Sequence, residues 1–240
     1  MLGTFPGAVL VAGCQRSGTT MLTRLIAASR DFRRFAFTHD DELDAALILA
    51  GAIHLPAAGR YCFQTTYLNE RYGEYSLLGA DQRLIWVVRN PHSVVYSMVH
   101  NWRRYALEEL YRSCGRDPAQ ADGMDIPWWK CMFADGWAEK ACRAYRGKAA
   151  QIFELRQLLP AERLLVVDYD ALVRDPSAWL PRVFAFIGTS GDGAAGSRVR
   201  RDSIGKSKRL SDRERALVSR LAQPTYERTQ ELVSRPAGPA

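Results

Sequence analysis

Ala8-Val9-Leu10-Val11-Ala12-Gly13-Cys14-Gln15-Arg16-Ser17-Gly18-Thr19-Thr20 is the stretch on which the fold turns. Its first five residues are apolar, include two valines and lie between Gly7 and Gly13, the pattern of a strand buried on both faces. Past the glycine loop, Met21, Leu22, Leu25 and Ile26 recur at helical spacing, so the order is strand, loop, helix. Gly13 and Gly18 have the separation of the phosphate-binding loop GxxxxGK[ST], with Thr20 at the hydroxyl position. Thr19 stands where that loop carries the lysine that reaches β- and γ-phosphates, which argues against ATP or GTP hydrolysis. The capacity to hold an anion survives. Loop N–H groups and a helix N-terminus present donors, Thr19 and Thr20 add hydroxyls, and Arg16 brings a permanent charge in a planar fork.

Working outward, Leu84 to Val88 and Leu164 to Val167 are further buried runs, each followed by a helical pattern: Val94 to Trp102 after Asn90-Pro91, and Trp179 to Ile187. Three strand-then-helix units predict an α/β fold, with a central parallel sheet and helices on both faces. Phe35 to Thr38 reads as a further strand, and Trp137 to Leu159 as a helix stopped by Pro160. Tyr105 to Pro127 reads as less regular, with turn signals at Gly115, Asp117-Pro118 and Asp122-Gly123. The expectation is one domain over residues 1–240, with a lid or acceptor-binding insertion at about 105–145.

The 240 residues carry a net charge of +7, which favours an anionic partner. Lys and Arg are dense only from Arg198 to Lys208, no nucleic-acid-binding motif accompanies them, and no nucleic-acid partner is expected. The five cysteines are scattered, without CxxC or Cys/His ligand spacing, so neither a disulfide framework nor a metal site is expected. No signal peptide and no membrane span is evident, and the expected setting is cytoplasmic.

Four segments together resemble one family, the sulfotransferases that use 3'-phosphoadenosine 5'-phosphosulfate (PAPS). Gln15 to Thr20, QRSGTT, is similar to the 5'-phosphosulfate loop written PKSGTT in cytosolic members and PRSGTT in tyrosylprotein and many carbohydrate and bacterial members. Arg16 places it nearer the second group, and Gln15 replaces the usual Pro. Val88-Arg89-Asn90-Pro91 with Ser97 resembles the 3'-phosphate motif VRDPxxxxxS, Asn90 taking the place of the commoner Asp. Val167 to Pro176 resembles VxYEDLxxDP, with Phe184 to Gly188 for the following FxG, and Ser203 to Ser211 resembles the C-terminal segment that closes over the nucleotide. The resemblance runs from residue 8 to residue 211 and leaves about 105–145 without a counterpart.

The resemblance implies a P-loop three-layer fold, PAPS as donor and adenosine 3',5'-bisphosphate (PAP) as product. It further implies that Arg16, Ser17, Gly18, Thr19 and Thr20 hold the 5'-phosphosulfate, that Arg89 and Ser97 hold the 3'-phosphate, that Tyr169 lies near the adenine and that Lys206 contacts phosphate. The acceptor implied is a hydroxyl on a small molecule, carbohydrate or peptide. Sulfuryl transfer needs cations at the leaving oxygen, the part assigned to Arg16, and a general base for the acceptor proton. By resemblance the base follows the strand after the first helix, where Asp40 aligns best, with His39 and Glu42 as alternatives and His54 more remote. Asp40, Asp41 and Glu42 equally suit a helix N-terminus. Trp128, Trp129 and Trp137 are read as packing residues rather than an acceptor pocket. A P-loop kinase of small molecules and a catalytically inactive nucleotide-binding protein are the rival readings.

Overall fold

Four parallel strands run through the centre of the computed structural model, which describes residues 4–35, 37, 40–56, 58–115, 136–191, 195–199 and 205–234. They are β1 (Val9–Gly13), β2 (Cys62–Gln64), β3 (Arg83–Val88) and β4 (Leu164–Asp168), in the order β2-β1-β3-β4. Leu10 pairs with Phe63 on one side and Leu84 on the other, and Trp86 pairs with Val166. Alternate residues of β1 face opposite ways. Leu10 and Ala12 join Phe63, Leu84 and Trp86 in one core, whereas Val9 and Val11 join Ile85, Val87, Leu22 and Ile26 in another. Burial on both faces is what turns a parallel strand into an unbroken apolar run.

The helices follow from local signals. After β1 comes α1 (Thr19–Ala27), and after β3 comes α3 (Pro91–His100), whose N-cap Asn90 accepts a bond from His92 N–H while Pro91 takes the first turn. Next come α4 (Arg104–Leu110) and α5 (Trp137–Leu158), the latter ending ahead of Pro160 as its sequence predicts. Asp168 caps α6 (Tyr169–Arg174), Asp175 caps α7 (Pro176–Phe186), and a Ser211/Glu214 capping box starts α8 (Asp212–Leu221), before α9 (Gln223–Ser234). A third apolar cluster joins α3, α4, α5 and α8 through Val94, Met98, Leu107, Tyr145 and Val218.

Two expectations are corrected. Phe35 and Phe37 lie in no strand, and the chain joins the sheet as β2 only at Cys62–Gln64. The two rings pack instead at 6.4 Å from each other, and Phe35 also lies against Tyr61 and Phe63, so tertiary packing claims residues with strand propensity. Tyr105 to Leu110 is helical and continues into a π-helical turn at Tyr111–Gly115. Leu107 and Leu110, both buried, form its inner face. The turn signals at Asp117-Pro118 and Asp122-Gly123 lie outside the described residues, as do Trp128 and Trp129. Trp137 packs beside the third cluster, with the Arg104 guanidinium 5.4 Å from its ring.

The sheet order makes β1 and β3 neighbours while the chain leaves them toward opposite sides. Loops after such a pair of strands open a crevice at their carboxyl ends, the usual place for a ligand in an open α/β sheet.

Candidate functional site

The loop between β1 and α1 is shaped by two glycines for steric reasons. A Cβ at Gly13 would stand 2.3 Å from the Val87 carbonyl oxygen, and one at Gly18 would stand 2.0 Å from Tyr169 Cε2. Gly18 also has φ +94°, a conformation that L side chains rarely adopt. Between them, Arg16 adopts a left-handed φ of 69°, at a cost of about 1 kcal/mol or more. The loop is held in that shape from β3, since Arg89 Nη1 donates to the Arg16 carbonyl at 3.0 Å. Ser17 is fully buried, and its hydroxyl has no hydrogen-bond partner among the described residues. A buried hydroxyl without a partner is uncommon, and this one lies in the β1–α1 loop next to the cleft wall without lining it.

Arg89 follows β3 directly and is 4% exposed. Its guanidinium lies 4.5 Å over the Tyr169 ring, and its Nε stands 3.8 Å from Asp170 Oδ1. Burial raises the Asp170 carboxyl above its ordinary value, against the bond it accepts from Asn90 N–H and the field of Arg89. Ser97, two turns into α3, accepts a bond from Arg16 Nε at 3.0 Å. The strand-to-helix turn thus brings Arg89 and Ser97 around to the loop. Partial burial first, and then the nearby Arg89 cation, pull the Arg16 guanidinium below its ordinary pKa. An anion between the two would offset the repulsion between Arg16 and Arg89.

These groups share a cleft of about 610 Å³ with Thr19, Thr20, Gln64, Trp102 and the carboxylates Asp40, Asp41 and Glu42. The carboxylates start α2 (Asp41–Leu49). Asp40 is its N-cap, and one oxygen, Oδ1, accepts from Glu42 N–H at 3.1 Å and Leu43 N–H at 2.8 Å. Asp41 pairs with the exposed Arg24 at 2.6 Å. Glu42 differs from both. Its pKa is raised, by burial above all and by the neighbouring Asp40 charge, while the Thr66 hydroxyl and the buried Lys148 pull the other way. Lys148 is itself lowered to about 8 by burial, and its ammonium donates to the Leu68 carbonyl at 2.9 Å.

Of the sequence-predicted residues, the cleft gathers Arg16, Gly18, Thr19, Thr20, Arg89, Ser97 and Asp40, with Tyr169 packed against both Gly18 and Arg89. Glu42 is there as well, whereas His54 is exposed and lies outside the cleft wall. His39 and the Lys206 side chain fall outside the described residues. Arg24, Gln64, Trp102 and Arg198 also line the cleft and were not anticipated. Arg24 sits one turn beyond Thr20 on the same helix face, a spacing that signals it; Gln64, on a three-residue strand, carries no such signal. Among the described residues no group of His, Cys, Asp and Glu side chains is placed to hold a metal ion, and no described helix is long and apolar enough to cross a membrane.

A family model described as a sulfotransferase domain matches residues 6–210. No curated protein matches the chain. Among solved structures, the sulfotransferase domain from the curacin biosynthetic pathway is 14% identical, with a TM-score of 0.55 over 97% of this chain and 99% of that one. A sulfotransferase from Alicyclobacillus acidocaldarius is 16% identical, with a TM-score of 0.55 over 95% of this chain and 96% of its own. The sulfotransferase domain of the Synechococcus PCC 7002 olefin synthase is 16% identical, with a TM-score of 0.55 over 97% and 96%. At such identities the likeness is one of fold, the P-loop α/β arrangement described above.

Proposed function

The chain belongs to the sulfotransferase family, matched over residues 6–210, and on that premise we propose that it transfers a sulfuryl group from PAPS to a hydroxyl of a small acceptor. The observation that carries the reading is the convergence of Arg16, Arg89 and Ser97 beside the orphaned Ser17 hydroxyl, in a loop that has Thr19 in place of the Walker lysine. That donor set fits PAPS. Ser17, Thr19, Thr20, the loop N–H groups and Arg16 would hold the 5'-phosphosulfate, Arg89 and Ser97 the 3'-phosphate, and Tyr169 the adenosine end, with Lys206 as a further phosphate contact. When bound, PAPS supplies an activated sulfuryl group with a phosphate as leaving group.

The protein's own part is to place charge and take a proton. With the donor bound, Arg16 would meet the negative charge that grows on the leaving oxygen, and a preorganised cation there stabilises the transition state more than the ground state. Ser97 orients the Arg16 fork through its bond to Nε. For the base we favour Glu42 over Asp40. The Asp40 oxygen that caps α2 already accepts two N–H bonds and is committed to the helix start. The raised pKa of Glu42 brings it nearer to neutrality, where a general base works best.

The cheap test is thermal. PAP at a hundredfold excess over its Kd should stabilise the protein by ~2.7 kcal/mol, a rise of several degrees in Tm. ATP with Mg²⁺ should give no comparable rise. Equal stabilisation by ATP would replace this reading with a kinase.

A further inference from the structure

Beyond Gln15, Asp40, Glu42 and Trp102 the cleft continues into a second cavity of about 860 Å³, within the range of small-molecule sites. The two cavities share those four residues, so a molecule in the second one presents its end to Glu42 and the phosphate loop. The walls of the two spaces differ in their balance of charge. The first sets the guanidinium groups of Arg16, Arg24, Arg89 and Arg198 against the carboxylates of Asp40, Asp41 and Glu42. The second holds three carboxylates, Asp40, Glu42 and Glu109, against one cation. That cation, Arg103, is exposed and turned toward Tyr105, whose hydroxyl accepts from its Nη1 at 3.0 Å.

Two further features point to what the cavity takes. Tyr67, Trp102 and Tyr105 line it with three aromatic rings, a kind of group whose quadrupole attracts cations, and the Arg103 guanidinium already lies 5.9 Å from the Tyr105 ring. Gln15, at the waist between the cavities, is 8% exposed, and its amide nitrogen is committed to the Thr66 carbonyl at 3.0 Å and Asn69 Oδ1 at 3.3 Å. That arrangement leaves Gln15 Oε1 buried with no partner among the described residues, an acceptor that calls for a donor from a ligand.

Resting on the sulfuryl-transfer reading, we infer that the acceptor is an amino alcohol or aminophenol: a hydroxyl that reaches Glu42 and a protonated amine held by the Glu109 carboxylate and the Tyr67, Trp102 and Tyr105 rings. An anionic acceptor meets repulsion from three carboxylates, and a neutral one leaves the charge of the cavity unanswered. The amine also meets the acceptor-only Glu109 carboxylate with N–H donors.

The test uses three probes of one shape: tyramine, its uncharged isostere 4-propylphenol, and 3-(4-hydroxyphenyl)propionate. Their Kd values are measured by calorimetry on the PAP-loaded protein, and kcat/KM with PAPS. Tyramine should bind about tenfold more tightly than 4-propylphenol, the combined effect of a partly exposed ion pair and cation–π contacts, and the propionate more weakly than either. Raising salt to 0.5 M and Glu109→Gln should each reduce the tyramine to 4-propylphenol ratio to about threefold or less. PAP binding with equal or tighter binding of 4-propylphenol or the propionate, or with no tyramine binding at 10 mM, overturns this inference and leaves the sulfotransferase reading standing. A tyramine preference indifferent to Glu109→Gln overturns the placement of the amine. Failure of PAP itself to bind removes both readings.

Discussion

The two halves of the cleft are built by different means. On the donor side the side chains hang from the ends of buried strands: Arg89 is 4% exposed, Thr19 2% and Ser17 fully buried, and Arg89 is tied to the loop backbone at 3.0 Å. On the acceptor side they project from α2 and α4 at the rim, where Leu43 is 45% and Tyr105 64% exposed. On the proposed reading, a donor with fixed phosphates would be met by groups locked to the sheet, and a variable acceptor by groups on helix surfaces that can change without disturbing the core. The balance of charge shifts along the same division, from four arginines against three carboxylates around the β1–α1 loop to one arginine against three carboxylates beside α2 and α4.

The two halves meet at Glu42, where the largest loss is expected. Glu42→Gln keeps size and removes the base, so kcat should fall ~100 to 10,000-fold with PAP affinity unchanged by calorimetry. The wild-type acidic limb should go with it. A base acts only when ionised, so activity falls as pH drops through the Glu42 value, and burial places that fall above the ordinary glutamate range. A limb that persists in Glu42→Gln and disappears in Asp40→Asn would return the role to Asp40.

A smaller loss is confined to the donor half. Arg89→Ala should weaken PAP binding by ~2 to 4 kcal/mol, as for removal of one member of a buried charge-assisted pair. Because the 3'-phosphate is remote from the transferred group, kcat at saturating donor should change far less than KM for PAPS. An unchanged Kd for PAP would remove Arg89 from the phosphate site.

The smallest effect tells capping from catalysis. Asp40→Ala should lower stability by about 1 kcal/mol through loss of the α2 N-cap, and Asp40→Asn, itself a good cap, should recover most of it. Chemical denaturation reads both variants. If Asp40→Asn is as active as wild type, Asp40 serves α2; if its kcat collapses while its stability holds, the assignment of the base to Glu42 is wrong.

Much of the donor half could be read from the chain alone, because its information is local. Gly13 to Thr20, GCQRSGTT, with its two glycines at fixed separation, and Arg89-Asn90-Pro91 followed by Ser97 each occupy one strand-to-helix turn, and a turn is specified by the residues in it. The same holds for β1, β3 and β4, whose burial on both faces writes itself as an apolar run. β2 escaped because three residues, Cys-Phe-Gln, are too few to show a period, and Phe35 and Phe37 drew the reading toward themselves by propensity that packing overrides. Asp40 and Glu42 are indistinguishable as letters in a helix start; which one caps α2 and which is half-buried in the cleft depends on the direction of that helix relative to the sheet. The acceptor cavity lies furthest from local specification. It joins Gln15, Tyr67, Trp102 and Glu109, separated by up to 94 positions of chain, and the sign of its charge and the free oxygen of Gln15 exist only once α2 and α4 close around it, since burial and long-range proximity are properties of the packed chain.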